Sequence, residues 1–334
     1  MLKVANRLSY AIIDLKKEKA MQIIILLIKQ IIQLFLMVLM GYTIVKLGII
    51  KSDDSKIISK IVLYLIIPCV MINAFQVGFT EEKMHGLLLA FAAGALLQAA
   101  LLFVTWFLRA VLHLNVVEWT SVYYSNSGNL IIPLITYILG KEWVLYASGF
   151  LAIQMIMLWT HCKNAFSHEG TVDLKVIFCN FNLLSIFAGI ILFFFKIQIP
   201  EIINSTLHSV GSMIGPLSMI ITGMLMGNID LKTVFSNKRI YMITFLRLIA
   251  YPLASIVILY VSGLSRLVPN GKMILLVTLL AVLTPSASTV VQLAQVYGED
   301  AKYAGAINVM TTLFCIFTMP VLVFIYQSFF VENL

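Results

Sequence analysis

Long apolar runs separated by short polar stretches dominate the chain. No Lys, Arg, Asp or Glu occurs between Lys83 and Arg109, between Glu201 and Asp230, or between Lys302 and Glu332. A bilayer core of roughly 30 Å is crossed by about 20 apolar residues in a helix, so each of these runs can span. With charged residues as boundaries, the pattern predicts helices over 22–45, 57–79, 85–108, 118–139, 142–162, 174–195, 202–227, 239–262, 272–296 and 301–330. The runs lack the alternation of barrel strands, which excludes a β-barrel. The expected fold is an all-α polytopic membrane protein with ten transmembrane helices.

Composition agrees with a lipid solvent. Hydrophobic residues make up 61% of the 334 and charged residues only 11%, against roughly 25% charged in soluble domains. The net charge of +8 could suggest nucleic acid, but the basic residues are spread through short loops, where they set orientation. The odd-numbered loops carry Lys46, Lys51, Lys56, Lys60, Arg109, Lys163, Lys175, Lys232, Lys238, Arg239 and Lys302; the other side, from residue 21 on, carries Lys83, Lys141, Lys196, Arg266 and Lys272. The positive-inside rule then places both termini outside the cytoplasm, in a cell membrane. Basic residues within 1–20 would cancel that bias.

Residues 1–20 differ in kind, being too short and too charged to span. Leu8, Ile12 and Leu15 can share one face, as in an interfacial helix; the alternative is that translation starts at Met21. The expected organisation is an N-terminal extension over 1–20, a first five-helix repeat over 21–162, a loop over 163–173 and a second repeat over 174–334.

The repeat is read from an echo. The stretch from Ser125 to Gly149, SNSGNLIIPLITYILGKEWVLYASG, and that from Thr284 to Gly305, TPSASTVVQLAQVYGEDAKYAG, each open with small polar residues plus Gly or Pro. Each continues as an apolar half-helix, turns at Gly beside an acidic residue and resumes at Tyr-Ala. The second and seventh helices each carry one central proline, Pro68 and Pro216. Five helices is an odd number, so the second repeat must be inverted, and paired interrupted helices in inverted repeats point to a transporter's binding site. Pro285 removes a backbone donor and Gly128 permits non-helical angles. Freed backbone groups at membrane depth must line a cavity or find polar partners, which Ser125, Asn126, Ser127, Asn129, Thr284, Ser286, Ser288 and Thr289 can supply.

At these residues the chain resembles the auxin efflux carrier family, which includes plant auxin carriers and bacterial malate permease-like proteins. The resemblance runs from Met21 to about residue 328 and is carried by GYTIVKLGII, LIIPCVMINAF, SNSGNLIIPL, GPLSMIITGMLMG and TPSASTVVQLAQVYGED. It implies ten helices in two inverted repeats, a scaffold domain, an elevator-like transport domain, and a substrate site where broken helices 4 and 9 cross. On the matching positions that site comprises Asn126, Ser127, Gly128, Asn129 and Pro133 with Thr284, Pro285, Ser286, Ser288 and Thr289. The chain departs from the plant carriers in lacking their long cytoplasmic loop and in having Ser127-Gly128 where they have Asn-Pro.

No Asp or Glu lies in the middle of a predicted span, which argues against a carboxylate proton relay. Two buried half-helix N-termini would instead offer about half a positive charge each. The expected cargo is therefore a small organic anion: a dicarboxylate, a hydroxy acid or an auxin-like carboxylate. Each break also creates a helix C-terminus able to hold Na⁺, so a sodium-coupled symporter of the bile-acid type is the alternative, with a channel or receptor behind it. Arg247 either attracts the anion or anchors backbone carbonyls, and Asn73, Gln154 and Asn308 are further candidates for the cavity. Gly211, Gly215, Gly223 and Gly227 predict close helix packing. Cys69, Cys162, Cys179 and Cys315 stand alone, with no CxxC or HExxH motif. No cofactor, metal, nucleic acid or catalytic activity is expected; a homodimer is left open.

Overall fold

The computed structural model describes residues 2–167, 180–227, 229 and 231–331. Cys179 and the expected start of the sixth helix lie outside them. Among the described residues every element is helical apart from one isolated antiparallel bridge. In chain order the helices are α1 (Leu2–Lys46), α2 (Ser52–Ala74), α3 (Glu81–Leu112), α4 (Val116–Tyr123), α5 (Ser127–Ile138), α6 (Lys141–Ser167), α7 (Phe181–Phe194), α8 (Glu201–Met226), α9 (Leu231–Ser236), α10 (Lys238–Val261), α11 (Gly271–Leu283), α12 (Ser288–Val296) and α13 (Ala301–Val331). Seven of these, α1, α2, α3, α6, α8, α10 and α13, are long and apolar enough to cross a membrane. The molecule is a multi-pass membrane protein.

The backbone of residues 2–20 continues into α1 without a break at Met21. Helix α2 sits some residues earlier than the sequence pattern suggested. Asp54 accepts the Lys51 amide at 2.9 Å and starts the helix there, and it ends at Ala74. Its proline has a local consequence: Pro68 has no N–H to return to the preceding turn, and Val62–Ile66 winds as a π turn. Pro252 follows the π turn Leu246–Ala250 in α10 in the same way. A missing i→i−4 bond is a recognised cause of such widening.

The helices pack in two groups. In the first, α1, α2, α7 and α8 hold together. Gly223 and Gly227 lie against Val38, Tyr42 and Val45 of α1, and Gly211 lies against Val70 of α2. Only a residue without a side chain lets the backbones approach so closely. In the second, α3, α4, α6, α10, α11 and α13 hold together. Thr105 and Tyr251 hydroxyls meet at 2.7 Å, Gly94 abuts the Phe150 backbone, and Tyr326 donates to the Lys272 carbonyl at 2.6 Å. Helix α5 bridges the groups, with Pro133 seated against Gly215 of α8 and near Leu34 of α1.

Candidate functional site

Two helices are interrupted in mid-course, and their breaks cross. Helix α11 stops at Thr284, which is extended (ψ 157°) because the following Pro285 disfavours helical angles in the residue before it. Helix α4 stops at Tyr124, also extended (ψ 123°). The two extended segments run antiparallel, pairing Ser125 with Ser286. The Asn126 amide donates to the Pro285 carbonyl at 2.8 Å, and the Ala287 amide donates to the Tyr124 carbonyl at 2.9 Å. After the crossing the chain re-enters helices α5 and α12 at Ser127 and Ser288. Downstream, the turns at Gly140 (φ 106°) and Gly298 (φ 77°) both occupy the left-handed region, where glycine carries no Cβ penalty.

The four helix ends made by the breaks are treated in opposite ways. Behind the crossing, Arg247 is 1% exposed and donates to the carbonyls of Val122 (3.0 Å), Val282 (2.6 Å) and Thr284 (2.8 Å). Its guanidinium thus covers the C-terminal ends of α4 and α11, where the helix dipoles place partial negative charge. In front of the crossing, neither α5 nor α12 has a side-chain cap. Their first N–H groups are left for a ligand or water.

Those uncapped ends open into a cavity of about 490 Å³. Of the residues singled out in the sequence, Ser125, Asn126, Ser127, Gly128, Asn129, Gln154, Ser288 and Thr289 line it. Asn129 donates to the Asn126 side chain at 3.1 Å and, over a longer 3.4 Å, to the Ser288 hydroxyl. The Ser127 hydroxyl and the Trp159 indole N–H are buried without a partner, two groups able to donate to an anion. Lys56, Lys60 and Lys163 stand among the lining residues, and none of those lining residues is acidic.

The remaining candidates lie elsewhere. Thr284, Pro285 and Ser286 build the second break but do not line the cavity. Asn308 is behind it, donating to the Ser286 carbonyl at 2.6 Å. Gln154 has the matching task at the first break, accepting from the Ser125 hydroxyl and donating to its carbonyl, both at 2.6 Å. Arg247 is an anchor for carbonyls and not a cavity residue. Gly128 is helical and does not use the backbone freedom expected of it. Pro133 and Asn73 line a second cavity of about 780 Å³ on the far side of α5, where Asn73 donates to the Asn204 side chain at 2.7 Å.

Sequence reading missed Ser218 and Thr222 of α8, Trp159 and Lys163 of α6, Gln292 and Gln295 of α12, and Lys56 and Lys60 of α2. A signal existed for two pairs: Ser218 with Thr222 and Lys56 with Lys60 are four apart and share a helix face.

A crossing of two broken helices in a multi-pass membrane protein is the arrangement of a transporter. The chain matches the membrane transport protein family over residues 26–174 and again over 169–323. It belongs to that family, the auxin efflux carrier family, and the match falls twice along its length. No curated protein matches it.

Proposed function

We propose that the protein is a secondary carrier of a small organic anion, bound at the crossing by the uncapped N-termini of α5 and α12. That pair of helix ends in one cavity is the observation that carries the reading. Two ends contribute about half a positive charge each, and Arg247 covers the negative ends behind them. The carbonyls that a sodium ion would need at the breaks are those that Arg247 already occupies. The anion reading is therefore favoured over sodium coupling. Leu63, Tyr64, Ile67, Met155, Leu158 and Ile221 provide an apolar wall, which suits one carboxylate on an apolar body better than a dicarboxylate.

In this reading the chain crosses the membrane ten times. Helices α4 and α5 have 8 and 12 residues, and α11 and α12 have 13 and 9. None alone covers roughly 30 Å at about 1.5 Å per residue, but each pair does. The tenth crossing falls to α7, whose 14 described residues cover about 21 Å and belong to a longer charge-free run in the sequence, 176–195. Inversion of the repeats is supported by the bridge, which joins the residues two before α5 and α12 in antiparallel sense. The cavity holding Lys56, Lys60 and Lys163 faces the cytoplasm, and both termini are outside. The far cavity approaches the same α5–α8 seam from the opposite face, as alternating access requires. The group containing α3, α6, α10, α11 and α13 carries the site past the group containing α1, α2, α7 and α8 in an elevator motion. The protein is not an enzyme in this reading.

Purified protein in liposomes preloaded with benzoate or malate tests it. Saturable exchange of labelled benzoate, stronger than that of malate and unchanged when choline replaces Na⁺, is expected. Exchange of neither anion, or strict dependence on Na⁺, overturns it.

A further inference from the structure

The crossing has a titratable neighbour. Among the described residues the buried charged side chains are Glu118 and Arg247. Arg247 is committed to carbonyls. Both Glu118 oxygens are taken: Arg239 donates to them at 2.7 and 2.9 Å, Tyr303 at 2.9 Å and the Asn115 amide at 3.0 Å. His161 is different. It sits half-buried in the π turn Leu158–Cys162 of α6, a local widening often found at functional positions. Its Nδ1 lies 2.8 Å from the Tyr124 hydroxyl. Tyr124 is the residue at which α4 breaks, and its carbonyl takes the Ala287 amide that ties the two breaks together.

We propose that His161 is a proton-binding site wired through Tyr124 to the crossing. Three observations converge on it. The Tyr124 hydroxyl also reaches the Met157 carbonyl at 3.0 Å and has one proton to give. With a neutral imidazole, the phenol donates either to Nδ1 or to Met157. With an imidazolium, both ring nitrogens carry protons, and only donation to Met157 remains. Protonation therefore fixes the side chain of the residue that starts the break. The ring also lies against Trp119, tilted by 54° at 5.1 Å between centroids, close enough for the indole to interact with an imidazolium. Finally, imidazole is the side chain that gains and loses charge between about pH 5 and 8.

The other titratable and charged groups nearby do not replace it. Arg109 of α3 lies over Trp119 at 5.7 Å and is exposed, so water screens its repulsion. Tyr123 donates its hydroxyl to the Gln98 carbonyl, Cys162 is buried beside His161, and Lys163 follows at the cavity. Helix α12 brings no titratable side chain. A charge on His161 adds to the positive end of the site, so proton and anion bind together, and each raises the affinity of the other by the same factor. This last step rests on the anion-carrier reading; the proton site does not.

The test begins without any substrate. An imidazolium against an indole quenches its emission, so the tryptophan fluorescence of the purified protein should fall on acidification, as the imidazole takes its proton. The His161→Gln and Trp119→Phe variants should each lose that transition, and Tyr124→Phe should shift its midpoint. In liposomes the apparent affinity for benzoate should tighten at least about fivefold between pH 8 and pH 6, where benzoate stays ionised. His161→Gln should exchange benzoate with no such dependence. A flat fluorescence profile, or one that survives His161→Gln, overturns the proton site. An unshifted Tyr124→Phe midpoint overturns the wiring, and benzoate affinity that ignores pH overturns the coupling. If benzoate is exchanged at no pH while the fluorescence still titrates with His161, the carrier reading for that anion fails and the proton site stands.

Discussion

The two breaks reach the same backbone path by different chemistry. The second is made by covalent geometry: Pro285 forces Thr284 out of the helix, and Asn308 and Thr311 tie down Ser286 through its carbonyl and amide. The first has no proline. There a glutamine from α6 grips Ser125 at two atoms, and the paired strand from the other break supplies two backbone bonds, at Tyr124 and Asn126. The difference extends to recognition. The first break presents the amides of Asn126 and Asn129 to the cavity, whereas Thr284, Pro285 and Ser286 stay behind it. Both helix N-termini face the cavity, and the second break adds Ser288, Thr289 and Gln292 to its lining; in the proposed reading the paired amides of the first break carry most of the carboxylate recognition, and the proline and tethers of the second carry most of the rigidity.

The largest effect should come from the group the two breaks share. Arg247→Leu leaves several buried carbonyls without donors, at about 1–3 kcal/mol each, so a loss of at least about 3 kcal/mol should appear as a collapse of detergent melting temperature. Arg247→Lys should rescue it only in part, since one ammonium cannot reproduce the guanidinium fork. A normal melting temperature for Arg247→Leu would mean that the breaks hold each other without help.

Asn129→Ala separates recognition from rigidity. Losing a hydrogen bond to a charged ligand costs roughly 1.5–3 kcal/mol, so the apparent affinity for benzoate should fall about tenfold to a hundredfold while melting hardly changes. Ser286→Ala, in the part of the other break that stands behind the cavity, should leave affinity alone. Equal losses of affinity from both would abolish the proposed asymmetry.

The tethers come next. Gln154→Leu removes two short bonds to Ser125 and Asn308→Leu removes one to Ser286, so destabilisation of about 2 and 1 kcal/mol is expected in that order. Thermal melting of the two variants side by side decides whether the proline-built break depends less on its tether.

The smallest effect concerns Gly128. It is helical, and an added methyl would meet only the Met155 side chain at 3.6 Å. Gly128→Ala should therefore be neutral or stabilising by up to about 1 kcal/mol in a melting experiment. Gly223→Ala is the contrasting control: its Cβ would strike the backbone of Val38 and should disrupt α1–α8 packing.

Much of this molecule follows from the sequence alone. Charge-free runs mark the spanning helices because a charged side chain in hydrocarbon is costly. The two small polar clusters mark the breaks because freed backbone groups in lipid need partners. Gly140 and Gly298 mark matching turns, and five motifs in order carry the family. What the tertiary structure alone decided is the direction in which each polar side chain points. In water, an alternation of polar and apolar residues tells the two faces of a helix apart; in lipid, the buried face and the exposed face are both apolar, and the pattern carries no such direction. Asn129 and Asn73 therefore read alike along the chain yet line different cavities, and Pro133 lines the cavity on the far side of α5 and not the pocket its motif suggested. Arg247 could be read as a lure for an anion until the carbonyls of two broken helices were found around it. Those partners come from segments distant in sequence, and only the packing of α10 against both breaks brings them within reach of one guanidinium.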